Sequence, residues 1–99
     1  PAAAQERGRR HREGAGGDRG RELGPKGVTV NAVAPGPVET DLMRSNLDDA
    51  TRAVFVQRTA LGRIGAPDDI ADVVAFLASA DGRWATGQVL AATGGFTPP

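Results

Sequence analysis

Few side chains in this sequence could take part in covalent or proton-transfer chemistry. Its 99 residues include no cysteine and no tyrosine, and one histidine. Without cysteine there are no disulfides, no cysteine nucleophiles and no thiolate metal sites. His11 has no second histidine near it and reads as a solvated side chain rather than a ligand or general base. Lys26, the sole lysine, lies in a turn. The pair Asp68-Asp69 invites a metal or acid–base reading, yet it stands where a helix starts, and negative charge is favoured at the positive end of a helix dipole. Gly14 to Gly17 follows no strand and opens no helix, so it is not a phosphate-binding loop. What remains is a corner of backbone, Pro35-Gly36-Pro37, followed by Val38 and Thr40. Proline removes an amide hydrogen and fixes φ, and glycine reaches conformations closed to other residues, so this corner can hold one shape close to a ligand.

The element that must position the corner runs from Gly27 to Thr40. Val28, Val30 and Val33 are β-branched, and the run has the length of a buried strand. A strand that ends in such a corner delivers it to the carboxyl edge, where ligands bind in open α/β sheets. Ahead of it, Glu22 to Lys26 has the pattern of a helix C-terminus, with Gly24 at the C′ position and Pro25 unable to continue. Beyond the corner, Glu39 to Asp49 reads as a polar loop and Thr51 to Leu61 as a short amphipathic helix with Asp48 and Asp49 in its first turn. Leu42, Met43, Leu47 and Phe55 are candidates for lining a substrate pocket, or for packing against the sheet. The strongest helix lies within Arg63 to Ala80: Pro67 suits the first position, and Ile70, Val73, Val74 and Leu77 recur at helical spacing. Ala85 to Thr93 is expected to be a second buried strand ended by Gly94-Gly95, with Trp84 as an anchor before it.

Composition narrows the function classes. Twelve basic and twelve acidic residues balance, so the chain as a whole makes no electrostatic case for nucleic acid or a membrane surface. No apolar run is long enough to span a bilayer, and no signal-peptide pattern is present. The chain opens on Pro1 rather than a methionine and is treated as a fragment. Pro1 to Glu22 holds no Val, Ile, Leu, Met or aromatic residue but six arginines among five glycines, so 1–21 is expected to be a basic, poorly ordered segment. An Arg/Gly arm for RNA is the functional alternative. Four acidic residues offset its charge and it offers no aromatic for stacking, which weighs against that use.

Four pieces in order carry a family resemblance. Glu22-Leu23-Gly24-Pro25-Lys26-Gly27-Val28-Thr29-Val30-Asn31-Ala32-Val33-Ala34-Pro35-Gly36-Pro37-Val38-Glu39-Thr40 resembles the penultimate strand and cofactor loop of the short-chain dehydrogenase/reductase family. Leu61-Gly62-Arg63-Ile64-Gly65 with Pro67-Asp68-Asp69-Ile70-Ala71, then Phe76-Leu77-Ala78-Ser79, then Thr86-Gly87-Gln88-Val89-Leu90 with Gly94-Gly95, follow suit. The resemblance covers Arg21 to Pro98. It implies that 22–99 is the C-terminal part of a Rossmann-like α/β domain, a doubly wound parallel sheet binding NAD or NADP across its carboxyl edge. By resemblance, Pro35, Gly36, Val38 and Thr40 receive the nicotinamide end, the Val38 backbone pairing with the carboxamide and Thr40 offering a hydroxyl. Glu39 to Ala60, with Leu42, Met43, Leu47 and Phe55, corresponds to the substrate-covering loop for a small alcohol or carbonyl compound. Dimers or tetramers that bury Pro67 to Ala80 and the last strand, and a cytoplasmic setting, are also implied.

The family's glycine-rich loop and its catalytic Ser, Tyr and Lys have no counterparts, so this chain is expected to lack a general acid and to be inactive alone. One back-translation of Gln5 to Gly17, moved by one nucleotide, reads Lys-Ser-Ala-Val-Asp-Ala-Ile-Val-Lys-Ala-Leu-Ala, which resembles the family's catalytic lysine and its helix. Pro1 to about Gly17 is therefore expected to be an out-of-frame translation. The coding DNA checks this: one inserted or deleted base must yield such a helix. Two other readings stand beside the oxidoreductase fragment: a non-catalytic module that pairs with a full-length relative, and the Arg/Gly nucleic-acid binder.

Overall fold

The computed structural model describes residues 17–98. His11 and the first sixteen residues of the segment expected to be poorly ordered or out of frame lie outside the described residues. The described residues form two compact units, one comprising 17–33 with Ala75–Leu90, the other Ala34–Val74 with 91–98. The strands β1 (Ala32–Pro35) and β2 (Val89–Ala92) contribute to both. They form a two-stranded parallel sheet in which the Ala32 N–H donates to Gln88 O at 2.9 Å and the Gly36 N–H to Ala92 O at 3.1 Å. Parallel neighbours need a long crossover. Here the residues between β1 and β2 supply it, and they carry the helices α2 (Asp41–Asn46), α3 (Asp49–Gln57) and α4 (Pro67–Ala78).

In the first unit, residues 17–23 form helix α1, which passes into a 3-10 turn at Gly24–Lys26. The expected C′ glycine, Gly24, is part of that turn, and Pro25 occupies its start, where a missing N–H costs nothing. Gly27 is the residue in the left-handed conformation, with φ 75°, and its N–H donates to Gly24 O. The turn feeds residues 28–31, which are held by side chains rather than a regular ladder. The Asn31 Nδ2 donates to Ala85 O at 2.9 Å, its Oδ1 accepts from the Gln88 N–H at 3.1 Å, and the Val30 N–H donates to Thr86 Oγ1 at 3.0 Å. The regular strand is thus shorter than the run from Gly27, and β2 is shorter than Ala85 to Thr93.

The second unit holds the corner after β1 with α2, α3 and the first two turns of α4. The segment Glu39 to Asp49, expected as a loop, contains α2, because Thr40 caps it: the Met43 N–H donates to Thr40 Oγ1 at 3.2 Å. Asp48 caps α3 in the same manner, accepting from the Thr51 N–H at 2.7 Å. That bond holds the Asp48 carboxyl below its ordinary pKa. Helix α3 therefore starts before Thr51 and ends before Leu61, whose side chain is 72% exposed and joins no apolar face.

Among the described residues no hydrophobic side chain is buried, and the one buried polar side chain is Thr59, 6% exposed. The strand residues expected to be buried differ accordingly: Val28 is 45% and Leu90 41% exposed. Burying a parallel strand requires a layer on each face of a wider sheet. Trp84, expected as an anchor, is 98% exposed and anchors nothing.

Close approach of backbone does constrain the first unit. A Cβ on Gly20 would lie 2.6 Å from Gly87 N and 2.7 Å from Gly87 Cα. Replacing glycine by alanine inside a helix ordinarily stabilises by about 1 kcal/mol, but a clash against unyielding backbone costs about 1–3 kcal/mol. Gly20→Ala is therefore expected to lower the midpoint of thermal loss of helical ellipticity; a raised midpoint would show that this contact does not form.

Candidate ligand site at the Pro35 to Thr40 corner

The backbone of the corner is fixed by a parallel bridge between Val38 and Gly65. The Gly65 N–H donates to Pro37 O at 2.9 Å and the Glu39 N–H to Gly65 O at 2.7 Å. In such a bridge the paired residue's own N–H and C=O point the other way. Neither the N–H nor the C=O of Val38 has a hydrogen-bond partner among the described residues. One donor and one acceptor thus stand side by side on fixed backbone, the complement of a primary carboxamide. Gly36 allows this path, since a Cβ there would meet Thr93 Cα at 2.9 Å.

Beside the corner lies a cavity of about 780 Å³. Its walls bring together all eight residues singled out from sequence: Pro35, Gly36, Val38 and Thr40 on one side, Leu42, Met43, Leu47 and Phe55 on the other. The caps explain the second wall. Thr40 starts α2, which presents Leu42 and Met43, and Asp48 starts α3, which presents Phe55. The side chains lining the cavity carry no charge; Thr40, Asn46 and Thr93 are its polar members. Leu42, 73% exposed, stands at an open rim. Thr40 accepts from Met43 as a cap, so its own O–H is left to donate to a ligand.

Phe96 and Pro98 complete the wall, and sequence reasoning missed them. Phe96 meets Phe55 edge to face, with ring centroids 5.9 Å apart at 76°, an arrangement that aromatic quadrupoles favour. The tail is stitched to the turn after α3: the Thr97 N–H donates to Arg58 O at 2.9 Å and the Leu61 N–H to Gly94 O at 3.0 Å. Phe55 and Phe96 are 41 positions apart, and no periodicity links them. The one available signal was an aromatic residue directly after Gly94-Gly95.

Two ion pairs flank the corner, Glu39 with Arg52 and Arg63 with Asp69. Arg63 donates from Nη1 to Asp69 Oδ2 at 2.6 Å and from Nη2 to Asp69 Oδ1 at 3.1 Å. Asp69 Oδ2 also accepts from the Ala66 N–H at 2.7 Å, reaching back over the helix start as in a capping box. Asp69 is thus a helix-start residue, as its position implied. Asp68-Asp69 forms no metal cluster, and no group of acidic or histidine residues among the described ones could hold a metal ion.

Residues 19–97 match a family model described as enoyl-(acyl carrier protein) reductase. The chain belongs to that family, the short-chain dehydrogenases/reductases, and its parallel α/β architecture is a portion of their Rossmann fold. Among relatives, it is 47% identical over 75 residues to the uncharacterised oxidoreductase YjdA of Bacillus subtilis, covering 76% of this chain and 28% of that protein. The crystal structure of 3-oxoacyl-[acyl-carrier protein] reductase from Brucella melitensis superposes with a TM-score of 0.81 at 32% identity, over 88% of this chain and 32% of that one. A blue fluorescent protein from a metagenomic library, solved in complex with NADPH, gives 0.75 at 40% identity, over 87% of this chain and 34% of that one. The chain thus spans about a third of the length of these proteins. No helix among the described residues is long and apolar enough to cross a membrane.

Arg63 first, and then the Ala66 amide, lower the Asp69 pKa from 3.8 to about 2. A depressed carboxylate contributes stability above its unfolded pKa and loses it as pH falls through the folded one. Amide protection at the start of α4 should therefore decline between about pH 4 and pH 2. Asp69→Asn should remove that pH dependence while lowering protection at neutral pH; an unchanged acid profile in Asp69→Asn would contradict the assignment.

Proposed function

We propose that this chain carries the nicotinamide-side part of a site for NAD(P)-dependent hydride transfer between an alcohol and a carbonyl compound. The observation that supports this best is the fixed N–H and C=O of Val38, which have no hydrogen-bond partner among the described residues and sit in one cavity with Pro35, Gly36 and Thr40. A carboxamide takes one hydrogen bond from that N–H and gives one to that C=O, and the Thr40 hydroxyl can donate alongside. When bound, the cofactor supplies the hydride or accepts it. Leu42, Met43, Leu47 and Phe55 form the wall for a small-molecule substrate, in a cytoplasmic setting. The NADPH-bound neighbour supports the cofactor class.

The chain has no tyrosine and one lysine, in the turn at Gly24–Lys26. It therefore brings a seat without the proton donor that carbonyl reduction requires, and we read it as inactive by itself. A second reading has one supporting observation: Phe76, Trp84 and Leu90 are exposed, and Trp84 almost entirely so. Exposed apolar side chains of this size suit a module that pairs with a full-length relative or with its own copies, through α4 and β2.

Two measurements on the purified chain test the first reading. In saturation-transfer NMR with NADH, the nicotinamide protons are expected to receive more saturation than the adenine protons; the reverse order, or no transfer, would count against the seat. With NADPH and a 3-oxoacyl thioester no cofactor oxidation is expected, and measurable turnover would overturn the inactive assignment. Co-purification with a longer reductase would favour the second reading.

A further inference from the structure

We infer that Glu39 is a positioning residue whose ion pair with Arg52 ties the cofactor-facing corner to the substrate-facing wall. The inference rests on the seat proposed above and concerns a residue that lines neither side of the cavity. Glu39 stands between Val38 and Thr40, the two residues whose polar groups face a ligand. Its backbone belongs to the Val38–Gly65 bridge, and its N–H donates to Gly65 O at 2.7 Å. Its Oε2 accepts from Arg52 Nη1, thirteen residues on, in α3.

Both side chains are about one-third exposed or less, 27% for Glu39 and 30% for Arg52. Glu39 Oε1 is buried without a hydrogen-bond partner among the described residues. The Arg52 hydrogen bond is the main cause that lowers the Glu39 pKa against the opposing effect of desolvation, with Arg44 adding a smaller attraction. Removing one partner leaves the other partly desolvated and without its hydrogen-bonded counter-charge, which costs more than the pair gains.

The two ends of α3 are held differently. Its C-terminal end is fixed by the Phe55–Phe96 contact and by the Thr97 bond to Arg58 O. Its N-terminal half carries Arg52, and among the described residues no other ion pair joins α3 to the corner. Helix α2, with Leu42 and Met43, hangs between the corner and that half. Loss of the pair frees α2 and the start of α3, and with them the wall facing the seat, while the end of α3 and α4 stay in place.

Residue-resolved amide hydrogen exchange on the full chain tests this. Glu39→Gln, which keeps the shape of the side chain, and Arg52→Gln, which shortens it and removes its charge, are each expected to speed exchange about threefold over Asp41 to Val54. Arg58 to Leu61 and Ile70 to Leu77 should be unchanged. Salt at about 0.5 M should produce part of the same effect in the parent chain through screening. The double reversal Glu39→Arg with Arg52→Glu should return exchange to within about twofold of the parent. A role in packing alone would show neither the salt effect nor the rescue. Unchanged exchange in the single variants, a uniform rise across all elements, or no rescue by the reversal would overturn the inference. Nicotinamide saturation transfer, recorded on the same samples, separates the two proposals. If it is absent from the parent chain the seat fails, while the exchange pattern still decides whether Glu39 and Arg52 tie the two walls.

Discussion

Two hydrogen bonds, from Gly65 N–H to Pro37 O and from Glu39 N–H to Gly65 O, set the shape of the second unit. They hold the chain after the Pro-Gly-Pro corner extended for one residue, and one residue suffices. Because alternate peptide groups of an extended chain point to opposite sides, fixing Pro37 and Glu39 toward Gly65 leaves the Val38 groups free on the other side. The corner's prolines suit the arrangement, since neither has an N–H to satisfy. Thr40 then departs into α2 as a cap, so the backbone that presents polar groups to a ligand turns into the helix that supplies the apolar wall.

Charge is kept off that surface. Several charged groups around the corner are engaged with one another or with helix starts: Asp69 with Arg63 and the Ala66 amide, Asp48 with the Thr51 amide, Glu39 with Arg52. The cavity is left lined by apolar groups, three neutral polar side chains and the Val38 peptide. A neutral surface around a few oriented dipoles favours recognition by hydrogen-bond pattern and shape over recognition by net charge.

Much of this was legible in the residues. The Pro-Gly-Pro corner, Pro67 at a first helical position and the stripe Ile70, Val73, Leu77 are local signals that the structure places near their expected positions, whereas Asp48, expected within the first turn of its helix, precedes α3 as its cap. The corner residues and Leu42, Met43, Leu47 and Phe55 are candidates from the strand-end corner and the loop after it, and the family resemblance adds the roles, cofactor-facing and substrate-facing. Other features were not legible, for separate physical reasons. The Thr40 hydroxyl reads as a ligand group, and its capping of α2 has no signal in the sequence because the six residues that follow are mostly polar and show no periodicity. Gly24 looked like the residue that ends a helix, but Pro25 can open a 3-10 turn, so the left-handed position moved to Gly27. The Phe55–Phe96 and Glu39–Arg52 contacts join positions that no local rule connects. Strand burial was overstated at Val28 and Leu90 because an apolar, β-branched run reports what a strand tolerates and not how many layers cover it.

The absence of a buried hydrophobic side chain among the described residues has a thermodynamic consequence. Unfolding raises the heat capacity in proportion to the apolar surface newly exposed to water, and the response to urea scales with the total surface exposed. A fold whose Leu, Val and Phe side chains are covered only in part has less such area to expose than one with a closed interior. Its stability curve should be flatter over temperature and its denaturation more gradual than those of a closed fold of the same length.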